Sequence, residues 1–157
     1  MARTATKAAE NVWYRARFEA SKVNERLSSR EGLSDITGID RTRIARIELG
    51  TLNPYPEEAR LIAMTCNAPE LQNYYCRECC ALGKNMPKVD KLSLDRITIK
   101  AMSSMSKISA AKKLLLEITE DGIISDEERP DLEKIIELLD ELTSINENLK
   151  AWLERNR

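Results

Sequence analysis

Residues 29–54 read SREGLSDITGIDRTRIARIELGTLNP, and the fold turns on this stretch. Ser28 and Glu31 stand three apart in the pattern of a capping box, which predicts a helix opening at about Ser29. Leu33, Ile36 and Ile39 supply its apolar side, and Gly38 can take the positive φ that ends a helix. Asp40 is a good N-cap for a second helix over residues 41–49, which closes at Gly50. At helical spacing Ile44 and Ile47 join Ile39 on the buried side. Thr42, Ala45, Arg46 and Leu49 fall opposite, and Arg41 and Arg43 lie on the two shoulders.

Two helices joined by a short Gly-containing turn form the unit that lays its second helix into the major groove of DNA. Such a helix needs short side chains at its centre for close approach and arginines able to bond guanine O6 and N7 or reach phosphates. Thr42 and Ala45 suit a thymine methyl, and Arg41, Arg43 and Arg46 are the donors. Ser29 and Arg30 open the preceding helix, whose N-terminal N–H groups favour a phosphate. The expected DNA-binding residues are therefore Ser29, Arg30, Arg41, Thr42, Arg43, Ala45 and Arg46. Alone, three arginines on a short helix describe a solvated face. The turn, the cap, the buried isoleucines and the closing Glu48-x-Gly50, arriving in that order, favour the DNA reading.

As a set, Ser29-Arg30-Glu31, Leu33, Thr37-Gly38-Ile39, Arg41-Thr42-Arg43-Ile44, Arg46-Ile47-Glu48-x-Gly50 and Asn53-Pro54 resemble the Cro/lambda-repressor (XRE) helix-turn-helix family. The match covers about a quarter of the chain as motifs and about half with the flanking helices. The resemblance implies a five-helix DNA-binding domain and a transcriptional regulator, similar to small regulators of bacterial phage-like and mobile elements. Ser34 stands where that family usually has Ala. The family's helix-1 arginine, which pairs at the position of Glu48, is expected here at Arg26 or Lys22.

The rest of the chain predicts an all-α protein. Trp13, Ala16, Ala20, Val23 and Leu27 keep helical spacing over residues 6–27, Pro56 opens a fourth helix, and Pro69 a fifth over about 70–81. Aromatic residues at 4% and five glycines argue against a sandwich or barrel. No apolar run approaches the roughly 18 residues of a membrane span. Four cysteines without an apolar leader point to a cytoplasmic protein with reduced thiols. Net charge is −1, but residues 1–60 carry 11 Lys/Arg against 9 Asp/Glu and the remainder 14 against 17. Any phosphate binding must then come from local placement.

Residues 1–83 read as the DNA-binding domain, 84–91 as a linker and 92–157 as an antiparallel helical hairpin. In the hairpin's first helix Leu94, Ile97, Ala101, Ser104, Ile108, Ala111, Leu115 and Ile118 form the expected seam. The second offers Leu132, Ile135, Leu139, Leu142, Asn146, Leu149 and Leu153. Further apolar positions widen both stripes beyond what one contact buries, which suggests a homodimer through the hairpin, with Asn146 either setting its register or facing water.

Other chemistry finds less support. Cys66, Cys76, Cys79 and Cys80 have ligand-like spacings, but a second dithiol or a His pair is missing, and small buried hydrophobes explain them as well. Asp121, Gly122, Ser125 and Glu128 match half of a calcium loop, yet Glu117 and Thr119 fill its first and third positions. No cofactor is implied. With no histidine, no Gly-rich phosphate loop and no nucleophile elbow, catalysis has no foothold. A module that docks proteins through the hairpin, without specific DNA binding, is the competing reading.

Overall fold

A computed structural model describes residues 8–157, which are all-helical and contain no strand. They divide into two compact units, one ending at Met86 and the other running Pro87–Arg157. Among the described residues no helix is long and apolar enough to cross a membrane.

Asn11 opens the first unit by capping α1 (Val12–Ser21), its Oδ1 accepting the Trp13 N–H at 2.9 Å. The same side chain donates to the Ile47 carbonyl at 3.1 Å, tying the start of α1 to the end of a later helix. The single helix expected over 6–27 is not found: residues 6 and 7 lie outside the described residues, and α1 stops at Ser21. Asn24 then caps a short 3₁₀ turn, Glu25–Ser28, through the Arg26 N–H. Leu27 is buried from that turn, whereas Val23 is 95% exposed. The apolar spacing ran unbroken through two separate elements.

Helix α2 (Arg30–Thr37) is capped by Ser29, whose Oγ accepts from the Gly32 N–H at 3.0 Å. The capping box expected at Ser28 and Glu31 is thus displaced by one residue, and N3 is a glycine. Space dictates that glycine: a β-carbon at position 32 would collide with the Arg26 carbonyl. Helix α3 (Arg41–Glu48) follows, then α4 (Pro56–Thr65) and α5 (Glu70–Tyr74), which widens into a π-turn at Tyr75–Cys79. The expected fifth helix over 70–81 therefore changes its hydrogen bonding halfway. Trp13, Leu27, Leu33, Ile44, Ile47, Ile62 and Leu71 lead the core of this unit. Each large aliphatic buried there contributes roughly 1.5–3 kcal/mol.

In the second unit α6 (Leu94–Ser106) and α7 (Ile108–Ile118) both pack on α8 (Arg129–Arg155). The helix expected from Leu94 to Ile118 is interrupted at Lys107, so three helices replace the predicted two. Ile97, Ala101 and Ile145 form a small core with Leu92, Leu142 and Trp152 beside it. On α8 the buried positions are Ile135, Leu138, Ile145, Asn148 and Ala151, while Leu139 and Leu153 are half exposed and Asn146 is exposed. The seam is shifted from the expected one, and Asn148, not Asn146, is its buried amide. Asn148 accepts from the Asp90 N–H at 3.0 Å and donates to the Ser144 carbonyl at 2.8 Å. Asp90 and the buried Val89 thus belong to this unit, although residues 84–91 read as a linker.

Candidate nucleic-acid interface

The site is built on α2, its turn and α3. Gly38 ends α2 at φ +72° and donates its N–H to Ser34 O at 2.8 Å. Ser34 Oγ then donates to the Ile39 carbonyl at 2.7 Å. The Ser34 hydroxyl closes the turn by satisfying a carbonyl that lies beyond the end of α2. Asp40 caps α3 by accepting the Arg43 N–H at 3.0 Å. Ile44 and Ile47 are buried at 1% exposure each, which fixes the roll of α3 and leaves Thr42 and Arg46 on the outside.

The last residue of α3 is a buried acid. Glu48 is 1% exposed, and Arg17, from the middle of α1, is 5% exposed. Arg17 Nε donates to Glu48 Oε1 at 2.6 Å and Nη2 to Oε2 at 3.1 Å. Its Nη1 donates to the carbonyls of Leu27 and Ser28 at 2.9 and 3.1 Å. Arg30 Nε adds a third donor to Glu48 Oε2 at 2.7 Å. The Arg17–Glu48–Arg30 cluster therefore joins α1, the 3₁₀ turn, the start of α2 and the end of α3. The partner expected at Arg26 or Lys22 is Arg17. Its signal was present in the sequence: Arg17 stands one turn after Trp13 on the apolar face, and Glu48 one turn after Ile44.

The seven residues singled out from the sequence fare differently. Ser29 uses its hydroxyl as a cap, and Arg30 reaches inward to Glu48 while keeping about a quarter of its side chain exposed. Arg41 makes a surface ion pair with Glu31 at 2.7 Å. Arg43 forms a two-pronged bond with Glu58 on α4, its guanidinium 4.1 Å above the Tyr55 ring. The Glu58 bond raises the Arg43 pKa further. Burial works against the Glu58 anion, but bonds from Arg43 and the Tyr55 N–H prevail and lower its pKa. Ala45 is half buried, and Thr42 and Arg46 are exposed. Among the described residues no carboxylate lies within 4 Å of Arg46. Arg41, Thr42 and Arg46 thus form the open part of the helix, and Arg43 is held against α4. Sequence reasoning missed Tyr55 and Glu58, whose only signal was their place at the cap and third position of α4.

The set-aside motifs have local uses. Cys66 sits in the first unit's core, where burial pushes its thiol up to about 12. Cys76, Cys79 and Cys80 are half buried around the π-turn, and burial also raises the Cys79 thiol. No three His, Cys, Asp or Glu side chains among the described residues converge as metal ligands. In the calcium-like loop, Asp121 accepts the Ile123 N–H, and Glu128 accepts both the N–H and O–H of Ser125. Those carboxylates close the turn.

The chain matches no protein-family model, no curated protein and no solved structure.

Proposed function

We propose that this protein is a cytoplasmic, sequence-specific DNA-binding transcriptional regulator of the Cro/lambda-repressor (XRE) helix-turn-helix type. In this reading the five N-terminal helices form the DNA-binding domain, and α3 enters the major groove. The observation that carries it is the outward face of α3. Arg46, which has no carboxylate within 4 Å among the described residues, projects beside Thr42 from a helix whose opposite side is fixed by Ile44, Ile47 and Glu48. A guanidinium on a rigid helix is preorganised for two bonds to a guanine edge. Arg41 pairs only at the surface, where such bonds are weak and a phosphate can displace the carboxylate. Arg43, held by Glu58 and Tyr55, serves the site by bracing α3 on α4. Two copies joined through Pro87–Arg157 would set two such helices roughly 34 Å apart, in successive grooves.

Arg46→Ala should weaken binding to the selected operator by about 1–3 kcal/mol and relax preference at one base position. Selection of bound fragments from random duplex DNA, followed by salt titration, tests the assignment. A binder loses affinity steeply with salt as counterions are released, and absence of duplex affinity at low salt would overturn the reading. The carboxylates of Glu31 and Glu58, set against two of the three α3 arginines, favour a second reading, in which this face docks a protein. Salt-insensitive binding of a protein partner without DNA affinity would support it.

A further inference from the structure

Where α6 meets α8 the chain encloses a groove of about 470 Å³. Two buried residues, Ser104 of α6 and Ile145 of α8, lie at its base. Lys100, Ser103 and Lys107 line it from the α6 side, and Glu141 and Ser144 from α8. Lys100 and Lys107 stand seven residues apart, so both ammonium groups fall on the same side of the helix. A volume in the range of roughly 300–1,000 Å³, with apolar walls and a few convergent polar groups, is the pattern of a small-molecule site.

The polar groups of the groove divide into a set that is used and a set that is open. Ser104 Oγ donates to Glu141 Oε2 at 3.0 Å, and Lys107 Nζ donates to the same oxygen at 3.2 Å. Those bonds, with Lys107 leading, hold the Glu141 carboxyl below its ordinary pKa, so it is an anion at neutral pH. Its Oε1 accepts no hydrogen bond among the described residues. Lys100 has no carboxylate within 4 Å. The Ser103 hydroxyl has no partner among the described residues either; only the backbone carbonyl of Ser103 is bonded, by Ser106. One side of the groove thus offers an unused ammonium beside an unused hydroxyl, and the facing wall an unused carboxylate oxygen. Two lysines against one glutamate leave a single excess positive charge, which a carboxylate balances and a phosphate dianion overshoots. The lysine stems and Ile145 supply apolar surface between the two ends.

We propose that this groove binds a small organic carboxylate that carries a hydrogen-bond donor, a hydroxyl or an ammonium, at its other end. The carboxylate accepts from Lys100 Nζ and Ser103 Oγ, and the donor bonds Glu141 Oε1. The carbon chain between them lies over Ile145 and the lysine stems. A ligand held in this way bridges α6 and α8 beside the small core of Ile97, Ala101 and Ile145, and stabilises the second unit by binding only its folded form. Every group involved belongs to Pro87–Arg157, so the site stands whether or not α3 meets DNA.

The test titrates the full chain, with lysine and isoleucine isotope-labelled for NMR, using hydroxybutyrate and aminobutyrate substituted at the terminal carbon, and plain butyrate, at constant ionic strength. Saturable shifts are expected at the Lys100 side chain and the Ile145 methyl groups with all three probes. The two probes that carry a terminal donor should bind about threefold more tightly than butyrate. Lys100→Met keeps the stem and removes the charge from an exposed position, and should weaken all three about tenfold. Lys112→Met, on α7 outside the groove, should leave every affinity unchanged. Glu141→Gln should shrink the advantage of aminobutyrate over butyrate, with thermal melting confirming that the variant is folded. Absence of a saturable shift with any probe, or unchanged affinities in Lys100→Met, would overturn the proposal. Butyrate binding as tightly as the other two would remove Glu141 from the site and overturn the ligand class, as would tighter binding of inorganic phosphate.

Discussion

The two units differ in what their cores enclose. Up to Met86 the chain brings charge inside: Arg17 and Glu48 are buried among Leu27, Leu33, Ile44 and Ile47 and satisfied by each other, by Arg30 and by two carbonyls. From Pro87 onward it sends apolar groups outside, leaving Leu139, Leu153, Met102 and Leu116 in water around a core led by Ile97 and Ala101. Burying a charge pair is weak evidence of net stability, because desolvation offsets most of the attraction. Its yield is definition: a paired interior charge tolerates few alternative arrangements, which would suit the proposed presentation of Arg46 and Thr42 to DNA. The second unit has a smaller buried cluster, Ile97, Ala101 and Ile145, and no buried ion pair among the described residues.

The sharpest way to break this contrast is Glu48→Ala. It strands Arg17 in the core and should destabilise the first unit by about 3–5 kcal/mol in urea unfolding, with the second unit's transition unmoved. Equal loss in both transitions would mean that the units do not unfold independently. Within the second unit, Asn148→Ala removes the acceptor of the Asp90 N–H and should cost about 1–3 kcal/mol there only.

The pH dependence separates the two cores again. Burial raises the Cys66 thiol to about 12, above the roughly 8.5 of an unfolded chain. Its contribution is therefore complete below the unfolded value and disappears as pH rises toward 12, when the unfolded thiol ionises first. The first unit's melting temperature should fall from about pH 9 upward, and Cys66→Ala should flatten that fall. An identical slope in the variant would refute the assignment.

The smallest effect is expected at the surface. Glu31→Gln releases Arg41 and removes a carboxylate beside the face proposed to meet phosphates, so duplex affinity should rise a few-fold without a change in stability. A fall in affinity would mark Glu31 as a contact in its own right.

What the sequence disclosed was mostly local. The caps at Asp40 and Gly38 depend on residues within a turn of each other, and the structure has them where the spacing predicts. The cap at Ser29 lies one position beyond the one the spacing predicts, because Ser28-x-x-Glu31 mimics a capping box while the bond made is from the Gly32 N–H to Ser29. Long-range choices were hidden. Periodicity alone does not say that Leu27 is buried from a separate turn, or which of two overlapping stripes on α8 faces inward, since both are apolar. The exposed Thr42 and Arg46 follow from helical geometry, whereas the capture of Arg43 by Glu58 depends on how α4 crosses α3. Arg17 was within reach, as a cation on an apolar face that demanded an anion, and Glu48 stood on another such face.

Arg30 stands astride the boundary between the interior and the solvent. Its Nε is one of three donors to a carboxylate that water does not reach, while part of its side chain lies open where α2 begins. An anion drawing that guanidinium outward would leave Glu48 leaning on Arg17 alone, and the added negative potential would be felt at the end of α3 and in the middle of α1. An occupant at the mouth of α2 would thereby be linked to the rigidity of the helix that carries Arg46. Such a link would run through a single shared cation.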